Sequence, residues 1–312
     1  MAFFAKRNFS FEQIPDLSGK IAIVTGSNTG IGRVCALEMA RKNCTIILAC
    51  RNSEKTLAVA KEIQEETGNK NIEFIQLDLM SLKSVKAFTD EFKSRYSNLH
   101  ILINNAGVMM CPFGLSEDGI ETQFATNHVA HFYLTTLLLP ELERSAPSRV
   151  VNVSSEGHRI PFGKLDLENI SDPKKYNRTS QYGKSKTCNI LFTRELSKRL
   201  EAKGVEVYVN ANHPGVVRSE LTRHLISTSS IFTKVYNTVF TITTEDGAVT
   251  QLYLATSPEV EEKKHKGKYF IPYATLRKSY GVSASEDAPK ELWDFTEKLL
   301  AEKVPGYEKV AL

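Results

Sequence analysis

The stretch "VTGSNTGIG", from Val24 to Gly32, is the strongest indication of the fold of this 312-residue chain. It follows the apolar run "KIAI" and precedes a helical pattern near residues 31–42, so a buried strand turns directly into a helix. Gly26 permits a tight turn, Gly30 lets the backbone approach a phosphate, and Gly32 lets the helix pack close to the sheet. The first N–H groups of the helix then point towards that phosphate. The stretch therefore predicts a strand, turn and helix that bind the pyrophosphate of a dinucleotide.

Buried strands and amphipathic helices alternate along the whole chain. Apolar, β-branched runs begin at Lys20, Cys44, Ile72, His100, Arg149, Val205 and Lys268, and helical patterns lie near 31–42, 54–67, 81–95, 118–144, 181–203 and 244–256. This alternation predicts an α/β fold: a Rossmann-type doubly wound parallel sheet of about seven strands with helices on both faces. Ligands bind such sheets outside the carboxyl ends of the strands.

The end of the second predicted strand indicates which dinucleotide binds. An Asp or Glu about 20 residues beyond the glycines would bind the ribose 2′-hydroxyl, whereas an Arg would accommodate a 2′-phosphate. Arg51 stands there, and the first acid after it is Glu54. The sequence therefore favours NADP(H) over NAD(H), with a surface arginine that binds no ligand as the alternative. Asp78, at the end of the third strand, either accepts a hydrogen bond from the adenine amine or caps the following helix, and the two are compatible.

Tyr182 and Lys186 stand four positions apart at the start of the pattern near 181–203. Residues at this spacing share one face of a helix. A phenol titrates near about pH 10 and is a poor base at neutral pH. A neighbouring ammonium, together with a positive nicotinamide ring, favours the phenolate and lowers the pKa of the tyrosine. The pair is thus interpreted as an acid–base device, with an exposed helix pair as the alternative.

Other polar residues lie where the predicted strands end. Ser155 ends the fifth strand, where its hydroxyl could hold a substrate oxygen. "INNAG", from Ile103 to Gly107, supplies a glycine turn at the end of the fourth strand. Asn127 lies in a helical pattern where Asn has a low propensity and exposes an amide to apolar neighbours.

These residues together resemble the short-chain dehydrogenase/reductase family over roughly residues 18–275. The motifs occur in the order and on the elements that the family uses. More narrowly, "TGSNTGIG", "ACRN", "NNAGVM", "NHVAHF", "VNVSSEGH", "YGKSKTCNILFTREL" and "HPGVVRSEL" resemble the retinol-dehydrogenase-like branch and its fungal and invertebrate relatives.

The resemblance implies a role for each matching residue. Tyr182 would exchange the substrate proton, and Lys186 would bind the nicotinamide ribose and lower the pKa of the tyrosine. Ser155, preferred to Ser154 because it matches the second position of the serine motif, would position the carbonyl. Asn127 would hold a water that links Lys186 to solvent. The implied cofactor contacts are Gly26, Asn28, Thr29, Gly30, Ile31, Gly32, Arg51, Asp78, Leu79, Asn105, Ala106, Gly107, Tyr182, Lys186, Pro214, Gly215, Val217 and Ser219.

The domain organisation follows from the same patterns. Residues 18–312 are predicted to form a single dinucleotide-binding and catalytic domain, after an N-terminal extension at 1–17 and with a C-terminal extension at 276–312. A polar insertion at 158–180 and an unusually apolar segment at 221–243 interrupt the alternation. Connections this long are usually lids or binding loops, so substrate recognition is expected there. For 221–243, a lid over a lipophilic substrate, contact with a membrane surface and a packed helix pair stay open.

Composition excludes several classes of protein. The net charge is +4, from 40 basic and 36 acidic residues, and no basic stripe with interleaved aromatics predicts nucleic-acid binding. His128 and His131 lack a third ligand nearby in sequence, so no metal is predicted. Five cysteines without C-x-x-C spacing indicate a reduced compartment. No signal peptide or spanning segment is predicted, which favours a cytoplasmic protein, with a peripheral position at an intracellular membrane as the alternative.

The sequence and the resemblance together predict an NADP(H)-dependent oxidoreductase. It would interconvert an apolar aldehyde or ketone, of retinoid, apocarotenoid, steroid or fatty-aldehyde type, with the corresponding alcohol. The alternative is a non-catalytic protein that binds NADP(H) and acts as a sensor or scaffold. The resemblance also leaves open a homodimer that pairs through helices of the fourth and fifth crossovers.

Overall fold

The structure is a computed structural model that describes residues 6–160, 165–217 and 241–312. Three predictions are affected by these limits. Ser219 and most of the predicted lid at 221–243 lie outside the described residues, as do residues 161–164 of the predicted insertion.

One sheet forms the centre of the described residues. Its strands are β1 (Ile21–Thr25), β2 (Thr45–Cys50), β3 (Ile72–Gln76), β4 (Ile101–Asn104), β5 (Ser148–Val153), β6 (Val207–Asn212), β7 (Tyr269–Ile271) and β8 (Thr275–Arg277). They lie in the order β3-β2-β1-β4-β5-β6-β7-β8. The first seven pair in parallel, which confirms the predicted doubly wound sheet, and β8 is antiparallel to β7. The eighth strand was not predicted because it is short and mostly exposed.

Helices connect the strands. They are α1 (Gly30–Ala40), α2 (Ser53–Thr67), α3 (Leu82–Arg95), α4 (Thr122–Phe124), α5 (Ala130–Leu137), α6 (Leu139–Arg144), α7 (Arg178–Ala202), α8 (Thr244–Thr256), α9 (Glu259–Glu262) and α10 (Ala288–Lys303). Short 3₁₀ turns occupy Phe11–Gln13, Glu156–Arg159, Leu167–Asn169, Pro173–Lys175 and Gly281–Ala284. The helical pattern predicted near 118–144 is divided into several helical pieces in the structure. A π-helical turn, Ala125–Val129, separates α4 from α5, and α6 follows as a distinct helix.

The strands bury side chains on both faces of the sheet. On β1, Ile23 packs into one apolar layer, while Ala22 and Val24 pack into the other. The first layer contains α3, α5, α7 and α10, and the second contains α1, α2 and α8. This is the alternation that a strand buried on both faces must have, since successive side chains point in opposite directions. Burial of each large aliphatic side chain contributes about 1.5–3 kcal/mol.

Both ends of the chain add to these layers. Phe9, in the predicted N-terminal extension, is buried against Tyr253 of α8, with ring centroids 5.6 Å apart. Trp293 of α10, a helix that was not predicted, packs against Phe132 of α5 and Phe192 of α7. Helix α10 therefore covers part of the surface through which a homodimer was expected to pair. A homodimer stays a prediction, and it would need surface that α10 leaves uncovered.

The described residues contain neither a disulfide nor a helix suited to span a membrane. All five cysteines, Cys35, Cys44, Cys50, Cys111 and Cys188, are buried and form no disulfide. Within these residues no helix has the length and apolar character needed to cross a membrane.

Candidate active site

The glycine loop after β1 has the close backbone approaches that its sequence predicted. Gly26 has a φ of +64°, and a Cβ added there would lie 3.0 Å from Cα of Ala106. A Cβ on Gly32 would lie 2.5 Å from Nδ2 of Asn105 and 2.5 Å from the main-chain oxygen of Gly26. Backbone atoms cannot move away as a flexible side chain can. Glycine is therefore required at both positions by the packing of the loop itself.

A threonine that the sequence analysis did not single out braces this loop. The Thr25 hydroxyl accepts hydrogen bonds from the main-chain N–H of Asn105 at 3.0 Å and of Ala106 at 2.9 Å. The Asn105 amide in turn donates to the Thr25 carbonyl at 2.9 Å. These bonds join the end of β1 to the end of β4. The sequence did contain a signal for this contact, because Thr25 stands directly before Gly26. Only the glycines of the loop were considered, and not the threonine side chain.

The N-terminus of α1 faces this loop. Thr29 is its N-cap residue, and the Thr29 side chain makes no capping hydrogen bond. The first turn of α1 contains no acidic residue. The first N–H groups of a helix carry a partial positive charge, so this end suits a phosphate. Asn28, just before it, donates from its amide to the Thr56 hydroxyl at 3.2 Å and so ties the loop to α2.

Residues at the ends of β2 and β3 were predicted to select the dinucleotide. The Arg51 side chain is exposed, and its guanidinium pairs with no other described residue. Asp78 accepts a hydrogen bond from the Met80 N–H at 2.9 Å. The N-cap of α3 is Ser81, whose side chain accepts from the Ser84 N–H. The interpretation of Asp78 as the helix cap was therefore wrong, because Ser81 occupies that position. Leu79 is buried.

Tyr182, Lys186 and Ser155 meet at the carboxyl end of β5. Tyr182 and Lys186 lie one turn apart near the start of α7, with 5% and 3% of their surface exposed, so the alternative of an exposed helix pair was wrong. The Ser155 hydroxyl and the Tyr182 ring lie close together, since both pack against Gly157. The Lys186 ammonium donates to the Val153 carbonyl at 3.0 Å, and its Nζ lies 5.8 Å from the centre of the Tyr182 ring.

The electrostatics of this pair differ from the expectation. Burial raises the pKa of Tyr182, and the Ser155 side chain acts in the opposite direction. We predicted that Lys186 would lower the pKa of this tyrosine. In the structure the opposing group is Ser155, since the ammonium faces the carbonyl of Val153 instead. Burial lowers the pKa of Lys186 to about 8, because removing a charged amine from water disfavours its protonated form.

The two adjacent serines make different contacts. The Ser154 hydroxyl is buried and donates to the main-chain oxygen of Lys186 at 2.7 Å, so it joins β5 to α7. The Ser155 hydroxyl accepts from the Gly157 N–H at 3.0 Å. A Cβ on Gly157 would lie 3.0 Å from Cε1 of Tyr182, so this turn runs directly beside the phenol ring. Ser155 is the serine that reaches the tyrosine.

Asn127 lies inside the π-helical turn. Its side-chain oxygen accepts from the Val108 N–H at 2.8 Å, and its amide donates to the Val108 carbonyl and the Ser185 hydroxyl, each at 2.9 Å. A Cβ on Gly107 would lie 3.0 Å from the Asn127 side-chain oxygen and 3.5 Å from Nζ of Lys186. The turn at Gly107 therefore lies beside both Asn127 and Lys186. Single π-turns inside helices are frequent at functional sites.

The turn after β6 completes this edge of the sheet. Gly215, next to Pro214, has a φ of +96°, and its Cβ position lies 2.5 Å from the Ile242 side chain. Val217 and Ile242 form an isolated parallel bridge. This bridge places residue 217 beside residue 242. Ser219 lies beyond this limit.

The two histidines considered as metal ligands serve different partners. Nε2 of His128 lies 3.1 Å from the Thr296 hydroxyl, and Nε2 of His131 lies 2.9 Å from the Thr25 hydroxyl. The described part of the chain holds no cluster of three or more metal-ligating side chains.

Comparisons with known proteins identify the family. A family model described as short chain dehydrogenase matches residues 20–166. Retinol dehydrogenase 11 of Mus musculus is 43% identical over 286 residues, which cover 91% of this chain and 87% of the mouse protein. The chain therefore belongs to the short-chain dehydrogenase family of oxidoreductases. Within that family it falls in the retinol-dehydrogenase-like branch that the sequence motifs predicted.

Solved structures agree with this assignment. A protein of Mycobacterium paratuberculosis matches with a TM-score of 0.73 and 32% identity, over 93% of this chain and 97% of the other. A short chain dehydrogenase of Escherichia coli CFT073, solved in complex with NADPH, matches with a TM-score of 0.63 and 26% identity, over 82% and 98%.

Proposed function

We propose that this protein is an NADP(H)-dependent oxidoreductase that interconverts an apolar aldehyde or ketone with its alcohol, with Tyr182 as the general acid and base. The observation that carries the proposal is the buried group of Tyr182, Ser155 and Lys186 at the carboxyl end of β5. A phenol with a serine hydroxyl and an ammonium beside it is suited to exchange a proton with a carbonyl oxygen.

The described residues fit a phosphorylated dinucleotide. The N-terminus of α1, which has no side-chain capping bond and no acidic residue in its first turn, suits a pyrophosphate. The Arg51 guanidinium, exposed and without a partner among described residues, suits a 2′-phosphate. Lys186 uses one of its three donors on Val153, which leaves two for ribose hydroxyls. The related Escherichia coli structure with NADPH supports the same choice.

Each residue of the buried group has a separate task in the proposed reaction. Bound NADP(H) supplies or accepts the hydride at the carbonyl carbon. Tyr182 donates its phenolic proton to the carbonyl oxygen during reduction and takes it back during oxidation. The Ser155 hydroxyl, which packs against Gly157 beside the Tyr182 ring, would position that oxygen. The Lys186 ammonium has no resolved effect on the pKa of the neutral phenol, but at 5.8 Å from the ring centre it would attract the phenolate as that charge forms, provided that the amine is protonated.

Asn127 would support the return of the proton through its main chain. Its side-chain amide already bonds to Val108 and Ser185. A water near Lys186 would therefore bind the main-chain oxygen of Asn127. The family resemblance implies the residue, and the side-chain contacts favour its main-chain oxygen as the atom.

The proposed substrate class is supported by apolar surface beside the start of α7. Phe113 lies edge to face with Tyr176, with ring centroids 5.2 Å apart, and the Thr179 hydroxyl lies 3.9 Å from the Met110 sulfur. Thr179 precedes Tyr182 by one turn, so this surface adjoins the reactive group. The name of the mouse relative points to a retinoid. A contribution from 221–243, as lid or as membrane contact, is part of the proposal.

The function is tested by NADPH oxidation with purified protein against all-trans-retinal, long-chain aldehydes, a 3-ketosteroid and a polar sugar aldehyde. We expect turnover of apolar carbonyls, because the surface beside Tyr182 is apolar. NADH run in parallel should have a KM at least about tenfold higher, since a charged hydrogen bond to the 2′-phosphate would be lost. Activity on the sugar alone would contradict the substrate class, and equal use of NADH would contradict the cofactor preference.

An Arg51 variant tests the cofactor assignment, with a second exposed arginine as the control. Arg51→Ala should raise the KM for NADPH and leave the KM for NADH unchanged. Arg95→Ala is the matched variant, because Arg95 is an exposed arginine on α3 that pairs with Glu73. It should change neither value.

Replacement of each serine separates their two tasks. Ser155→Ala should lower kcat by about 10²-fold, because a hydroxyl that holds the reacting oxygen is lost. Ser154→Ala should lower the free energy of unfolding by about 1 kcal/mol, because its hydrogen bond to α7 is lost, with kcat nearly unchanged. Steady-state kinetics and urea unfolding of both variants measure these effects. A larger loss of kcat in Ser154→Ala would reverse the assignment.

A further inference from the structure

His131 lies on α5, one turn after Asn127, and only 2% of its surface is exposed. Its Nδ1 lies 3.3 Å from the main-chain oxygen of Asn127, and its Nε2 lies 2.9 Å from the Thr25 hydroxyl. The proposed reaction gives this ring no task. Its contacts nevertheless join the end of β1 to the π-helical turn.

The two contacts determine where the hydrogen of the ring lies. A carbonyl oxygen can only accept, so Nδ1 carries the hydrogen. Burial lowers the pKa of His131 to about 3, and the ring is therefore neutral at neutral pH. Nε2 of a neutral ring with Nδ1–H is an acceptor, so the Thr25 hydroxyl donates to it. The Ile103 carbonyl, at 3.4 Å, is a more distant acceptor for the same hydrogen.

This direction leaves the lone pairs of the Thr25 hydroxyl for the turn after β4. They accept from the N–H groups of Asn105 and Ala106. The next residue, Gly107, lies beside both Asn127 and Lys186. If the Thr25 hydroxyl rotated away from Nε2 of His131, its lone pairs would point less well at the N–H groups of Asn105 and Ala106. Both hydrogen bonds would weaken, and the turn could then shift relative to Lys186.

We propose that His131 is a positioning residue: its imidazole orients the Thr25 hydroxyl and holds the Asn127 carbonyl, and thereby keeps the turn at Gly107 in place beside Lys186. The inference rests on the proposed function. It assigns the second histidine of "NHVAHF" to the geometry of the reaction site, and the ring itself touches neither substrate nor cofactor.

A matched pair of variants tests the proposal. His131→Leu should lower kcat and raise the dissociation constant of NADPH, each by about tenfold, because small displacements in a reaction site are costly. His128→Leu is the control, since His128 is equally buried on the preceding turn and also binds a threonine hydroxyl, that of Thr296. Both variants should lose thermal stability, but His128→Leu should keep its kinetics. Similar kinetics in the two variants would reduce His131 to a packing role.

Two conservative variants separate the two contacts. The His131→Gln side chain can still accept from the Thr25 hydroxyl, and the His131→Asn side chain can still donate to the Asn127 carbonyl. Relative to His131→Leu, we expect His131→Gln to recover most of the NADPH affinity. We expect His131→Asn to recover more of kcat than His131→Gln does. If both variants fold but neither recovers kcat or NADPH affinity relative to His131→Leu, the proposal is contradicted.

The wild-type protein supplies a test that needs no variant and no turnover. ¹⁵N NMR of histidine-labelled protein should show His131 as the neutral Nδ1–H form between about pH 5 and 8, as its depressed pKa requires. The Nε2–H form would overturn the inference. If no carbonyl is turned over, the proposed function fails, whereas the NADPH dissociation constants and the NMR spectra still decide the role of His131.

Discussion

Tyr182→Phe should lower kcat by about 10³-fold and change the dissociation constant of NADPH little. The reason is that the variant removes the only atom that exchanges the proton in the proposed reaction, while the phenyl ring keeps the packing of a residue that is 5% exposed. Steady-state kinetics with the best carbonyl of the panel, and NADPH binding followed by cofactor fluorescence, measure the two effects separately.

The matched control removes a buried phenolic hydroxyl elsewhere. Tyr253 of α8 is 3% exposed, and its hydroxyl donates to Glu259 on the opposite side of the sheet from α7. Tyr253→Phe should therefore leave kcat unchanged. If Tyr182→Phe keeps normal turnover, the assignment of the general acid is wrong. If the protein exerts a biological effect that persists in Tyr182→Phe, the sensor alternative gains support.

Lys186→Met should nearly abolish turnover and at the same time stabilise the fold. The pKa of Lys186 is about 8 in the folded protein, against about 10.4 in an unfolded chain. The unfolded state therefore binds more protons between these values, and stability rises with pH across this window and is lower by about 3 kcal/mol below it. Methionine removes the buried charge and this cost, because replacement of a buried ion by an apolar side chain is often stabilising.

The measurements are kcat and the midpoint of thermal unfolding at pH 7 and pH 10. The gain in stability over wild type should be larger at pH 7 than at pH 10, where the wild-type amine is neutral in the folded state. Lys184→Met, two positions earlier and partly exposed, is the control and should change neither quantity appreciably. A less stable Lys186→Met protein would show that the ammonium contributes more to the fold than its burial costs.

Local pattern predicted the parts of this site that depend on one element. The loop from Val24 to Gly32 was predicted because a strand, three glycines and a helix follow each other directly in the chain. The pairing of Tyr182 with Lys186 was predicted because a four-residue spacing fixes the shared face of a helix. The missed helix α10 belongs to a different kind of error: its pattern was visible, but it was assigned to an extension.

Contacts between distant elements could not be predicted in this way. The choice between Ser154 and Ser155 depended on the direction in which each hydroxyl leaves the end of β5, towards the backbone of α7 or towards the phenol. The sign of the Tyr182 pKa shift depended on burial, which no spacing reveals. The cap assigned to Asp78 was wrong because Ser81 lies closer to the start of α3.

The doubly wound sheet, the order of its motifs and the edge at which they meet could be predicted from the sequence, because hydrophobic period and glycine placement act over neighbouring residues. Tertiary structure alone decided the protonation states and the hydrogen-bond directions. His131 illustrates the reason: the tautomer proposed for it depends on a carbonyl four residues before it and on a hydroxyl 106 residues away, and only the folded chain brings that hydroxyl to the ring.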